Sequence, residues 1–345
     1  MVRTRKIYIT GPKPSLDNTA QNKVVMITGA NTGIGKETAK QLLTAGATVI
    51  MACRSESRAR EAMKDILSAL KQDQHTGTGT GTNNGETTTL LSPSKRLLFL
   101  QCDVSDYNSV RQAVTSFEEL NLPLDVLVNN AGIMMGTRKE NAANHELTMA
   151  CNHLGHFLLT NLLLDKLQKS NDGRVIVVTS STYVLANKGI DLDDLNCEKR
   201  KYTMFSQYAQ SKLANILMGN ELAKRELERV QNNNKTDESS SSSSSSKLPV
   251  AVHMVHPGLV RTDVVRNMPW YLKYPNMIFS IVMVTLQKSP EAGAYTNVFC
   301  AIDDSLKGRS GEYFSNSQVF ETSKEAKDDA KGKRLWELSE KLVGI

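Results

Sequence analysis

Several things are scarce in this chain, and each scarcity narrows what the protein can be. Aromatic residues make up only 6% of 345 positions, and the densest basic cluster, "EKRKY" at 198–202, is short and lies beside acids. Without a basic stripe interleaved with aromatics, nucleic acid is not an expected partner, despite a net charge of +6. Cysteine is limited to Cys53, Cys102, Cys151, Cys197 and Cys300, widely spaced and with no C-x-x-C pair. That pattern points to reduced thiols and argues against a disulfide framework. Metal-ligand spacing is missing too. Cys151, His153 and His156 crowd together in "CNHLGHF", but no second ligand pair lies at a zinc-like distance, so they read as helix-packing residues and no metal is expected. The longest apolar run, "MIFSIVMVTL" at 277–286, is about half of what a bilayer-crossing helix needs. The first 22 residues are basic but contain no apolar signal-peptide core. A cytoplasmic location is the expectation, with peripheral contact at the endoplasmic reticulum membrane left open.

What is present is regular. A hydrophobic fraction of 40% and a charged fraction of 23% are those of an ordinary globular protein, long enough for a sizeable core. From residue 23 onward, short unbroken apolar strands alternate with helical runs: "KVVMITG", "ATVIMAC", "RLLFLQCDV", "LDVLVNNAG", "GRVIVVTSS", "PVAVHMVHPG" and a last edge strand, "SGEYFS". Strands apolar on both sides and separated by helices predict a parallel sheet covered on both faces. The expectation is one α/β domain over 23–345, a Rossmann-type doubly wound parallel sheet of about seven strands, preceded by an extension at 1–22. Two low-complexity stretches, 71–95 and 231–247 (the latter with a serine run), interrupt the rhythm between a helix and the next strand. Helix-to-strand loops lie at the amino ends of parallel strands, so both inserts are expected away from the ligand edge.

"VVMITGANTGIGKETA" reads as strand, tight turn, helix, with Gly29, Gly33 and Gly35 in a G-x-x-x-G-x-G arrangement. Glycines there let the backbone approach a pyrophosphate seated on a helix N-terminus. The second strand ends "MACRS", with Arg54 where an NAD site usually presents a carboxylate. A guanidinium can grip a 2′-phosphate, so NADP(H) is the expected cofactor, with Lys36 as a further source of positive field. The alternative is that Arg54 is an ordinary surface residue. In "SQYAQSKLAN", Tyr208 and Lys212 share one helix face at i, i+4. Alone such a pair says little; beside a dinucleotide turn, an ammonium next to a phenol reads as a proton-transfer device. Ser180, at the carboxyl end of the fifth strand, is the candidate to hold a substrate carbonyl, with Ser181 as its competitor.

Taken together, "TGANTGIG", "CDVS", "NNAG", "NHLGHFLLT", "VVTSS", "YAQSK" and "HPGLVRT" resemble, in order and spacing, the short-chain dehydrogenase/reductase family, most closely its NADP-preferring retinol dehydrogenases. The resemblance covers residues 23–345 apart from the inserts. It implies Tyr208 as general acid/base, Lys212 as the residue that lowers its pKa and bonds the nicotinamide ribose, Ser180 orienting the carbonyl, and Asn152 holding a proton-relay water. It implies a cofactor site built from Gly29, Asn31, Thr32, Gly33, Ile34 and Gly35. Asp103 and Val104 would meet the adenine, and Asn130, Ala131 and Gly132 would line the dinucleotide. Pro257, Gly258, Val260 and Thr262 would cover the nicotinamide. Retinol enzymes usually begin with a membrane-anchoring segment, which is not read here. Thr179 replaces a common serine in "VVTSS".

Residues 268–286, with Met268, Trp270, Tyr271, Ile278, Phe279 and Val282, read either as an apolar cover for a long or fused-ring substrate, with shallow membrane contact, or as a buried helix closing the core. The expected function is interconversion of a lipophilic alcohol with its aldehyde or ketone, by a chain that could pair as a homodimer. The competing expectation is a dinucleotide-binding regulator without turnover.

Overall fold

The apolar strand segments come together as one sheet in the computed structural model, which describes residues 11–17, 19–75, 91–237, 248–260 and 287–345. In chain order these are β1 (Val24–Thr28), α1 (Gly33–Thr44), β2 (Thr48–Cys53), α2 (Glu56–His75), β3 (Leu97–Gln101), α3 (Tyr107–Glu119) and β4 (Val126–Asn129). A π-helical turn at Ala150–Leu154 leads into α4 (Gly155–Lys169), followed by β5 (Arg174–Val178), α5 (Met204–Asp237), β6 (Ala251–His256), α6 (Pro290–Ile302), β7 (Glu312–Ser315), β8 (Gln318–Val319) and α7 (Asp329–Val343). Side-chain capping marks several helix starts. Asp106 accepts the Asn108 and Ser109 N–H groups at the start of α3, and Ser289 caps α6 with Pro290 in the first turn.

The strand order is β3-β2-β1-β4-β5-β6-β7-β8, parallel throughout except for the antiparallel β7–β8 pair. Period-two alternation divides each strand between two cores. Val24 and Met26 of β1 face a core built from α3, α4, α5 and α7, whereas Val25 and Ile27 face one built from α1, α2 and α6. Because the chain runs from β1 outward to β2 and β3, then returns to β4 on the other side, the connections leaving β1 and β4 pass to opposite faces of the sheet. An open parallel sheet places its ligand crevice at that switch point.

Three details refine the expected organisation. The sheet has an eighth strand, because Asn316 and Ser317, both at positive φ (54° and 57°), reverse the chain into β8. "SGEYFS" therefore supplies an inner strand and not the edge. Helices α2 and α5 continue to His75 and Asp237, into the first residues of both low-complexity stretches. Residues 76–90 and 238–247, which carry the repetitive parts of both, lie outside the described residues. Finally, Ala20 is fully buried and its N–H bonds Ala45 O at 2.9 Å, so the chain already packs on the domain before β1.

The amino edge of the sheet holds a buried arginine with every partner in place. Arg174 is 0% exposed; it donates to both carboxylate oxygens of Asp172 (3.0 and 2.8 Å), to Cys300 O (3.0 Å) and to Asp303 O (2.9 Å). Lys23 joins the same carboxylate at 2.7 Å.

Candidate active site

At the opposite, carboxyl edge, the turn after β1 passes so close to its neighbours that side chains are excluded. Gly29 and Gly33 take φ of 65° and 55°, which glycine adopts without strain. A Cβ on Gly35 would come within 2.5 Å of Asn130 Nδ2 and 2.6 Å of Gly29 O. The first turn of α1 carries no acid, and no side-chain bond from Thr32 caps it. A bare helix N-terminus along a glycine turn is a ready anion site. Thr28 organises the other wall: its hydroxyl accepts the N–H groups of Asn130 and Ala131, both at 2.9 Å, and Asn130 Nδ2 donates to Thr28 O at 2.8 Å.

These walls enclose a cleft of about 410 Å³, lined by Gly29, Asn31, Thr32, Gly33, Ile34, Gly35, Arg54, Asp103, Val104, Asn130, Ala131 and Gly132 at one end. Ser180, Tyr208, Lys212, Pro257, Gly258 and Val260 line the other end. Residues chosen from scattered motifs thus share one cavity. Thr262 and the whole of 268–286 lie outside the described residues, so the expectations placed on them have no structural counterpart here.

Asn152 is placed differently from its neighbours. It is fully buried, and its side chain is spent on protein partners: Oδ1 accepts Ile133 N at 2.8 Å, and Nδ2 donates to Ile133 O at 2.9 Å and Ser211 Oγ at 3.0 Å. The π turn sets it at this depth, and Gly155, where a Cβ would lie 1.7 Å from Val104 O, lets α4 close against the wall. In this geometry the side chain fixes the Ile133 loop. His156, next on the same helix, bonds the Thr28 hydroxyl at 2.8 Å, and His153 bonds Ser339 at 2.9 Å, so both are tied into the packing.

Tyr208 is half-buried, with the Ser180 hydroxyl near enough to act on its phenol. Of the two adjacent serines it is Ser180 that meets the phenol; the Ser181 N–H is taken by His256 Nδ1 at 3.3 Å. Lys212 is 3% exposed; its Nζ donates to Val178 O at 3.0 Å and lies 5.6 Å from the Tyr208 ring centre. Burial pushes the Lys212 ammonium down to about 8, with Cys151 acting weakly in the other direction. Burial likewise pushes the Tyr208 phenol up to about 12, against the opposing bond from Ser180. Desolvation is thus the dominant influence on both groups in this arrangement.

At the adenosine end, Arg54 is largely exposed and pairs loosely with Asp103 at 3.7 Å, a contact that solvent screens. Arg58, four residues on and in the first turn of α2, lines the same cleft, and no carboxylate among the described residues pairs with it. Its i, i+4 spacing from Arg54 in "CRSESRAR" is the sequence signal that marks it. Lys36 corrects an expectation: its ammonium is paired with Asp65 at 2.6 Å and does not line the cleft. Cys102 and Cys151 line the cleft, but burial pushes each thiol up to about 12, which leaves them inert. Apolar side chains gather at the Tyr208 end: Ile133, Met134, Phe205 (46% exposed) and Leu259 (55% exposed). Phe205, Met134 and His256 carried no sequence signal of their own.

Comparison with known proteins agrees with this geometry. The short chain dehydrogenase family profile matches residues 23–86 and 80–190. The chain is 36% identical to human retinol dehydrogenase 14 over 325 residues, covering 94% of this chain and 87% of that protein. It is 34% identical to human retinol dehydrogenase 13, over 99% of this chain and 90% of that one. Among solved structures, an uncharacterised protein from Mycobacterium paratuberculosis superposes with a TM-score of 0.64 at 26% identity, covering 96% of this chain and 98% of that one. No helix among the described residues is long and apolar enough to cross a membrane.

Proposed function

The chain belongs to the short-chain dehydrogenase family, and from that premise we propose that it is an NADP(H)-dependent oxidoreductase that interconverts a lipophilic alcohol with its aldehyde or ketone. One observation carries the reading: a single cleft joins a glycine turn and two arginines at one end to the Ser180–Tyr208–Lys212 group at the other. When bound, the nicotinamide ring gives or accepts the hydride. The residues do the rest. Gly29 to Gly35 and the start of α1 would hold the pyrophosphate, Arg54 and Arg58 a 2′-phosphate, and Pro257 to Val260 the nicotinamide end. Ser180 donates a hydrogen bond to the substrate oxygen. Tyr208 delivers its Oη proton to that oxygen in reduction and takes it back in oxidation. Lys212, cationic at neutral pH, stabilises the phenolate that forms and so makes proton release easier. Asn152 keeps the Ile133 wall in place beside them. The apolar set Ile133, Met134, Phe205 and Leu259 favours a hydrophobic substrate, and the retinol enzymes among its relatives support an alcohol or carbonyl of that class.

The test is an assay of retinoid, steroid and lipid-derived aldehydes and ketones with NADPH and with NADH. Turnover of a lipophilic carbonyl with NADPH preferred supports the proposal. Binding of the nucleotide without turnover of any member of the panel would replace it with the regulator reading.

A further inference from the structure

Lys288 takes no part in the proton transfer described above, and stability does not explain its burial. It is 4% exposed, and its Nζ donates to the neutral amide oxygen of Asn316 at 2.6 Å. Among the described residues no carboxylate pairs with it, although an ammonium offers three donors and is costly to bury without a counter-charge. It also directly precedes Ser289, the cap of a 13-residue helix, so a cation sits at the positive end of α6. Methionine, similar in length, would fill the space without either cost.

What the side chain touches suggests why a charge is kept. A Cβ on Gly258 would lie 2.7 Å from Lys288 Cε and 2.9 Å from Nζ, so the ammonium sits directly behind that loop. Lys288 N donates to Leu259 O at 2.8 Å, and Val260 pairs with Lys288 as an isolated parallel bridge. Gly293, in the first turn of α6, packs against Val260 and Ile34, bringing the starts of α6 and α1 together at the same loop. Pro257, Gly258, Leu259 and Val260 all line the cleft.

We propose that Lys288 is a positioning residue for the dinucleotide: from behind Gly258 it braces the Pro257–Val260 loop and supplies a buried positive field that the dinucleotide's pyrophosphate balances. This rests on the cleft being a dinucleotide site but not on the preference for NADP, because NADP(H) and NAD(H) share the pyrophosphate.

The experiment uses the full chain and titrates NADPH and NADH by nucleotide fluorescence. Lys288→Met is expected to weaken both about tenfold, the scale of one partly screened charge, with no loss of melting temperature. At saturating nucleotide its kcat should stay within about twofold, the effect falling on KM. Asn316→Asp keeps the lysine but gives it a carboxylate; aspartate tolerates the positive φ at that position. That variant is expected to melt higher and to bind both nucleotides severalfold more weakly. It also keeps the proposal testable if Lys288→Met does not fold. A folded variant of either kind that binds both nucleotides as tightly as wild type overturns the proposal, as does a loss confined to NADPH. A wild type that binds neither nucleotide overturns the cofactor reading itself.

Discussion

Arg174, on β5, and Lys212, on α5 but bonded to the end of β5, are both buried cations, one at the sheet's amino edge and one at its carboxyl edge, and they are compensated differently. Arg174 has a two-oxygen carboxylate partner and two carbonyls, and that carboxylate also holds Lys23. Among the described residues Lys212 has a single carbonyl, and Lys288 at the same edge has a single amide. Burial pushes both lysines down to about 8. The difference teaches where the molecule keeps charge for itself and where it keeps charge for something else. A fully partnered cation contributes to folding, whereas one left short of acceptors at the ligand edge is unfavourable until an anion arrives.

The comparison is broken most sharply by removing the chemistry at one edge alone. Tyr208→Phe should lower kcat about 10²–10⁴-fold, the usual contribution of a positioned proton donor, while NADPH titration gives nearly the wild-type affinity. A variant keeping more than about a tenth of the rate would show that the phenol is not the proton carrier. Next in size is the far end of the same cleft. Arg54→Asp should shift the NADPH/NADH ratio of kcat/KM by about 30- to 1000-fold, from a lost charged hydrogen bond and an added repulsion. A shift under about threefold would move the 2′-phosphate contact to Arg58.

At the amino edge the outcome should reverse, with stability lost and chemistry kept. Asp172→Asn leaves Arg174 and Lys23 without their shared carboxylate and should cost about 2–3 kcal/mol in urea unfolding. The folded variant should keep wild-type kcat/KM, because the site lies at the other end of the strands.

A smaller effect, visible as pH dependence, separates the two kinds of cation. Lys212 has an ordinary value of 10.5 when unfolded and about 8 in the fold, so between those values the unfolded chain holds the extra proton. This group therefore makes stability rise with pH across that window. Lys212→Met should be more stable than wild type below pH 8, on the order of 2 kcal/mol, with the gap closing towards pH 10.5. Only the difference between variant and wild type is read, because buried thiols and phenols raised by burial titrate nearby with the opposite sign. A constant gap from pH 7 to 10.5 would mean that Lys212 is not desolvated. Least of all, shortening the serine run at 239–246 should leave specific activity within about twofold, because loop closure depends weakly on length.

The legibility of these regions in the sequence follows their chemistry. The glycine turn announces itself because its constraint is local: backbone at positive φ, directly after a strand. Tyr208 and Lys212 are readable because helix periodicity alone sets i beside i+4. The amino edge was silent, since nothing near Arg174 in the chain announces Cys300 and Asp303. Arg58 was visible as spacing but became relevant only when α2 turned its first residues into the cleft. The bonds of Asn152 to Ile133 and Ser211, and that of Lys212 to Val178, were not readable because they depend on burial and on partners from other elements.

By itself, then, the sequence determined the alternating elements, the parallel doubly wound sheet, the glycine turn and the membership of the Tyr–Lys pair, all set by short-range sterics and periodicity. Only the tertiary structure decided that Lys36 turns to Asp65, that Ser180 lies beside the phenol, and that Thr28 and His256 join the site. Those outcomes rest on desolvation and on bonds between residues up to 259 positions apart, as for Asn297 with Thr38, and neither quantity exists until the chain has packed.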